Sequence, residues 1–384
     1  MRYQGISCQS EEPIAVDVEG GVVVSIRPTA LKPGMPWLCP GFTDIQVNGY
    51  AGLDYSNPNL QLTDIEAVCR ALAASGTLRH YPTIITSPRK IISRNCGIIA
   101  QAARENALVG AVVAGLHIEG PFISPEDGPR GAHDPLHVRL PSFDEFLEWQ
   151  ENARGLIKIV TIAPELDKAL EFIQKASAAG VIASIGHTGA SPERIREAVA
   201  AGAKLSTHLG NGSHGSLPRL KNYLWEQLAA DELCASIIAD GFHLPAAVIK
   251  TFARAKGLSR LILVSDVAFL AGSEPGVKRW GNMSVEVHPD GHIGLAGTQF
   301  LAGAGHLLDR CIAQFVKATG TSVPETVALC TVNPAKLLGL ADSSFELKPG
   351  SPANLVSFHL PAGADVIKIE HSLLLGEELA RAGA

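Results

Sequence analysis

From residue 37 onward the chain alternates short apolar runs with stretches whose apolar residues recur at helical spacing. That is the pattern of repeated strand–helix units around a parallel sheet. Eight runs read as strands: WLCPGFTDIQVNG from Trp37, HYPTIIT from His80, VVAGLHIEG from Val112, IKIVTIAPE from Ile157, VIASIGHTG from Val181, KLSTHLGN from Lys204, SIIADGFHL from Ser236 and LILVSDV from Leu261. TDIEAVCRALAASG from Thr63 and SPERIREAVAAG from Ser191 read as helices between them. The second carries end signals: Ser191 to cap it, Pro192 at its first position, Glu193 in its first turn and Gly202 to stop it.

Eight such units predict an α/β protein of the (β/α)8 TIM-like barrel class, with a doubly wound open sheet as the alternative. The barrel is favoured because nearly every run is apolar until its C-terminal end and then delivers a polar side chain, and that end is the active-site face of a barrel. The flanks differ. PIAVDV and GVVVSI around Gly20 and Gly21 form a hairpin signal, and FELKPGSPANLVSF near the C-terminus reads as β-structure too. The expected organisation is a small β-sandwich-like domain formed by residues 1–38 and 342–384, with the barrel over 39–341.

Composition narrows the function classes. With 32 Lys and Arg against 38 Asp and Glu, the net charge is −6, and charged residues make up only 18%. No basic run offers the footprint that nucleic acid or an anionic membrane would need. The longest apolar stretch, Ala107–Leu116, falls short of the ~20 residues that span a bilayer and reads as a buried strand. The N-terminus lacks the layout of a secretory signal, so a cytoplasmic location is expected. Seven scattered cysteines without C-x-x-C spacing are read as buried free thiols.

The polar strand ends supply Asp44, Gln46 and Asn48; His117 and Glu119; His187; His208 and Asn211; Asp240 and His243; and Asp266. Each alone reads equally as a hydrogen-bonded core residue. Together, Glu119, His187 and His208 offer one carboxylate and two imidazoles, the open coordination of a catalytic divalent metal. Asp266, with no cation beside it in LILVSDV, suits a general base.

These residues lie in motifs that carry a resemblance. PGFTDIQVNG, GLHIEGPFISPEDGPRGAHDP, VTIAPE, GHTGAS, THLGNG, ADGFHL, LVSDVAFLAG, AGTQFLAGA, NPAKLLGL and LKPGSPANLV occur in the order seen in N-acetylglucosamine-6-phosphate deacetylases of the amidohydrolase superfamily, which the chain resembles from about residue 37 to 357. The resemblance implies hydrolysis of the acetamide of an N-acetyl amino sugar 6-phosphate to acetate and the free amine. It implies one divalent metal per subunit held by Glu119, His187 and His208, with zinc first and iron, cobalt or manganese as alternatives, because Gln46 and Asn48 stand where most amidohydrolases carry H-x-H. It further implies that Asp266 takes a proton from the attacking water and returns it to the leaving amine, while His133 polarises the amide oxygen. The resemblance places Asn211 and His243 at positions that hold the sugar or its phosphate and Thr298 and Gln299 on the loop that closes over the substrate, and Gln46 and Asn48 join that substrate-side set. A homodimer is implied, with the β flanks or the segment around Trp225 as its surface.

Two departures are visible. After THL the family shows Y-N-A-M and then a basic residue, whereas this chain reads THLGNGSHGSLPRLKNYLWEQL, leaving Arg219 and Lys221 as candidates for the phosphate. The aspartate motif is SDVAFLAGSEPG in place of TDATAPAG. The alternative reading therefore keeps the metal site and changes the substrate to another N-acyl amine, an unphosphorylated N-acetyl sugar or a cyclic amide. A binding protein without catalysis is a third reading, disfavoured because drift toward it has no reason to spare the ligands and the base together.

Overall fold

The computed structural model describes residues 1–280, 283–298, 301–341 and 345–381. Eight parallel strands form the central sheet in sequence order: β1 (Phe42–Val47), β2 (Thr77–Ile85), β3 (Leu116–Glu119), β4 (Ile157–Ile162), β5 (Ile182–Ile185), β6 (Leu205–Ser206), β7 (Cys234–Ile237) and β8 (Leu261–Leu263). A parallel bridge between Val47 and Val267 brings the first strand against the last, so the sheet closes into a barrel. Six of the eight runs read from the sequence contain one of these strands, and the runs from His80 and Ser236 overlap strands that begin earlier, at Thr77 and Cys234. Inside, Ile45, Tyr81, Ile159, Leu205, Ile262 and Val264 fill the barrel as a packed core.

The helix Pro192–Ala200 is capped as its sequence predicts, the Ser191 side chain accepting from the Arg194 amide. Gly202 follows with φ +112°, a conformation that favours glycine. The apolar stretch Ala107–Leu116 departs from expectation. Its first part is the helix Ala107–Val112, and only Leu116 onward is strand. The cause is Asn106, whose side-chain oxygen accepts from the amides of Leu108 and Val109 and so starts a helix that apolar periodicity alone could not reveal.

The run from Trp37 is likewise two elements. Trp37–Pro40 pairs in parallel with the N-terminal strand Arg2–Ser7 and antiparallel with Leu355–His359. The chain then enters the barrel at Phe42. Gly41 makes the crossing, because a side chain there would collide with Leu78. The two flanks thus share one seven-stranded sheet, which curls until Val23 exchanges backbone hydrogen bonds with Gly350 and Ser351. Tyr3, Val16, Leu38, Leu355 and Leu373 form its core.

A three-stranded antiparallel sheet, Gly276–Trp280, Met283–Val287 and Ile293–Leu295, is inserted after β8. It was not anticipated, although its alternating sequence and the Pro289-Asp290-Gly291 turn are readable signals. All seven cysteines are free thiols, with Cys8 and Cys234 only partly buried. No helix among the described residues is long and apolar enough to cross a membrane.

Candidate active site

The strand ends converge on a cavity of about 290 Å³ at the C-terminal mouth of the barrel. Its polar wall holds Asn48, Glu119, His133, His187, His208, Asn211, His243 and Asp266, and its apolar wall Ile85, Ile238, Trp280 and Leu301. His187, His208 and Asp266 lie just beyond β5, β6 and β8 with φ of +50°, +30° and +49°. Left-handed backbone is unfavourable for residues with a Cβ and concentrates at functional positions. Here it accompanies three polar residues at strand ends that all line one cavity.

In that cavity Glu119 Oε1 lies 3.2 Å from His187 Nε2 and 3.0 Å from His208 Nε2, and the two imidazole nitrogens are 3.0 Å apart. The Nδ1 of His187 faces the Pro129 carbonyl at 2.8 Å, and a carbonyl only accepts, so Nδ1 carries a proton and Nε2 is the ring nitrogen turned into the cluster. Burial works against the Glu119 anion, but the imidazoles of His187 and His208 outweigh it and hold the carboxyl well below its usual range. A carboxylate oxygen and two imidazole nitrogens so crowded suit the binding of a cation. A tetrahedral ion with ligands at ~2.0–2.1 Å separates those ligands by roughly 3.3 Å, close to the spacings of this cluster. The residues therefore fit a divalent metal.

His133 joins the group more closely than its sequence reading implied. Its Nε2 is 3.3 Å from His187 Nε2, and ligand atoms of Glu119, His133 and His187 all lie within 4.8 Å of one another. Its Nδ1 meets Thr86 Oγ1 at 2.8 Å. Burial lowers the His133 pKa to about 3, so the ring is neutral at physiological pH.

Gln46 and Asn48 are occupied by protein groups. Gln46 Nε2 donates to Glu119 Oε1 at 2.7 Å, and Asn48 Nδ2 donates to Asp266 Oδ1 at 2.8 Å. Withdrawal from water and the nearby Glu119 charge push the Asp266 carboxyl up to about 6. His243 reaches the cavity with its ring fixed by Nδ1 against Asp240 Oδ2 at 2.8 Å. Asn211 lines the cavity as well. His117 and Asp44 from the strand-end inventory are buried structural groups: His117 bonds the Ile45 carbonyl and Thr161, and Asp44 accepts from the Ser265 amide.

Arg219 and Lys221 are exposed on the loop after β6 and are not among the cavity-lining residues. Thr298 is also exposed and outside the wall, and Gln299 lies outside the described residues. The apolar wall was missed by sequence reasoning, because an isolated Trp280 or Leu301 gives no signal until the inserted sheet folds over the barrel.

The sequence profile of the amidohydrolase family matches residues 37–373. The N-acetylglucosamine-6-phosphate deacetylase of Bos taurus is 35% identical over 331 residues, covering 83% of this chain and 78% of that protein. Among solved structures, the N-acetylglucosamine-6-phosphate deacetylase of Thermotoga maritima superposes with a TM-score of 0.86 at 26% identity, all of each chain being covered. An aspartate-to-alanine mutant of the Mycobacterium smegmatis deacetylase, in complex with N-acetyl-D-glucosamine-6-phosphate, superposes with a TM-score of 0.85 at 26% identity, covering 96% of this chain and 95% of that one. The chain belongs to the amidohydrolase family, in the group of the N-acetylglucosamine-6-phosphate deacetylases.

Proposed function

We propose that this chain hydrolyses the acetamide of N-acetylglucosamine 6-phosphate to acetate and the amino sugar phosphate. The observation that carries the proposal is the meeting of Glu119, His187 and His208 at 3.0–3.2 Å in a cavity that also exposes Asp266. Those three residues would hold one divalent ion, zinc by preference, which acidifies water and draws electron density from the amide carbonyl.

The chain's own groups account for the proton movements. Asp266 is ionised at neutral pH yet basic for a carboxylate, so it accepts a proton from the attacking water and passes it to the departing nitrogen. Asn48 fixes Oδ1, which aims the other carboxylate oxygen for that transfer. Neutral His133 presents an N–H from Nε2 when the Thr86 hydroxyl donates to Nδ1, and that N–H meets the negative charge growing on the amide oxygen. Gln46 fixes the Glu119 carboxylate and so orients the donor set. His243, held by Asp240, offers its Nε2 to the sugar, with Asn211 beside it.

No Lys or Arg is among the described lining residues, so the phosphate contact we assign to Arg219 requires its loop to turn inward or a second subunit to supply it. A cytoplasmic homodimer belongs to the same proposal. Leu220, 79% exposed, and Trp225, 47% exposed, provide apolar surface beside Arg219 for the contact. Acetate release from the phosphosugar, set against the unphosphorylated sugar, tests the activity and the phosphate requirement together.

A further inference from the structure

The inserted sheet does more than cover the barrel. Its first strand ends at Trp280, which lines the same cavity as the polar cluster, together with Leu301 and Gly303. The outer edge of the indole lies over Gly303, whose absent Cβ would sit 3.5 Å from Trp280 Cη2 and 2.8 Å from the Ala268 side chain. Phe269 meets Trp280 edge to face, with ring centroids 5.3 Å apart and planes at 86°. Phe269 stands three residues after Asp266, in the segment where this chain departs from its family's aspartate motif.

The far end of the insert is anchored independently. His288 and His292 stack at 3.9 Å, Phe242 stacks on His292 at 5.1 Å and on His306 at 5.2 Å, and the Arg310 guanidinium lies over Phe242. Phe242 is the neighbour of His243. One aromatic stack therefore fixes the insert that carries Trp280 to the barrel loop that carries His243, and both residues line the cavity.

We infer that Trp280 is a specificity-determining residue, an aromatic platform that takes the C–H face of the sugar ring while Asp266 and the Glu119 cluster act on the acetamide; the inference rests on the function proposed above. A pyranose with equatorial substituents turns C–H bonds outward on its faces, and an indole held by Phe269 and Gly303 meets such a face at little entropic cost. This contact is the same before and during the reaction, so it acts on binding rather than on the chemical step.

Kinetics of wild type, Trp280→Ala and Trp280→Phe on N-acetylglucosamine 6-phosphate provide one test. Trp280→Ala is expected to raise KM roughly tenfold with kcat little changed, and Trp280→Phe to restore most of the loss. The second test needs no turnover. In Asp266→Asn protein the phosphosugar is expected to change tryptophan emission, and the change is expected to fall severalfold in Asp266→Asn/Trp280→Phe protein, where Trp37, Trp149 and Trp225 remain, Trp225 being hydrogen-bonded to the Arg219 carbonyl. An unaltered KM in Trp280→Ala, or an emission change of undiminished size in the double variant, overturns the inference while wild-type turnover still upholds the proposed function. Absence of wild-type turnover overturns both.

Discussion

At the scale of single residues, the site works because each reactive group is fixed by a second one. Asp266 is the sharpest case. Its carboxyl, pushed up to about 6, combines ionisation at neutral pH with useful basicity. Asp266→Asn keeps the shape and the bond to Asn48 but cannot take a proton, and we predict a fall in acetate release of roughly 10²-fold or more, with bound metal unchanged by elemental analysis. Gln46 acts one step removed. Its amide is the fixed hydrogen-bond donor on Glu119 Oε1, so Gln46→Leu is expected to weaken metal retention about 10–100-fold, read by competition with a chelator. Retention equal to wild type would show that the two imidazoles alone orient the carboxylate.

At the scale of elements, the barrel strands were legible because burial on both faces makes each a short apolar run that ends in polar residues. His187, His208 and Asp266 were legible for the same reason, since they stand where the run stops. Their left-handed backbone was not, because a φ of +30° to +50° at a residue with a Cβ is imposed by the surrounding fold rather than by local preference. The helix Ala107–Val112 was misread because six apolar-rich residues carry no periodicity that separates helix from strand. Asn106 decides it. Asn106→Ala should lower stability by about 1 kcal/mol through loss of the cap, measured as a reduced denaturation midpoint without change in KM. The roles of Gln46 and Asn48 were hidden for another reason. Their partners, Glu119 and Asp266, lie 73 and 218 residues away, and only closure of the barrel brings them together.

At the scale of the whole molecule, one curled sheet holds strands from both ends of the chain, and the inserted sheet adds Trp280 to the wall of the cavity. Burial also sets the response to acid. His80 is buried with Nε2 on the Tyr55 hydroxyl at 2.8 Å, and burial pushes its pKa down to about 3. The unfolded chain titrates this group near 6.5, so between about 6.5 and 3 the unfolded state binds the extra proton. The stabilisation from His80 is therefore present above pH 6.5 and is lost as pH falls toward 3. We predict a melting temperature that drops across this range, and a shallower drop for His80→Gln, which keeps a partner for Tyr55 but does not titrate there.

The central claim is that Glu119, His187, His208 and Asp266 form a metal-dependent amide-hydrolysing centre selective for a phosphorylated N-acetyl sugar. Its most direct test is acetate release from N-acetylglucosamine 6-phosphate by metal-loaded protein, alongside the unphosphorylated sugar and chelator-treated protein. The account predicts rapid release from the phosphosugar, far slower release from the free sugar, and loss of activity on chelation that added zinc restores. Full turnover by metal-stripped protein, or no release from either sugar by loaded protein, would contradict it.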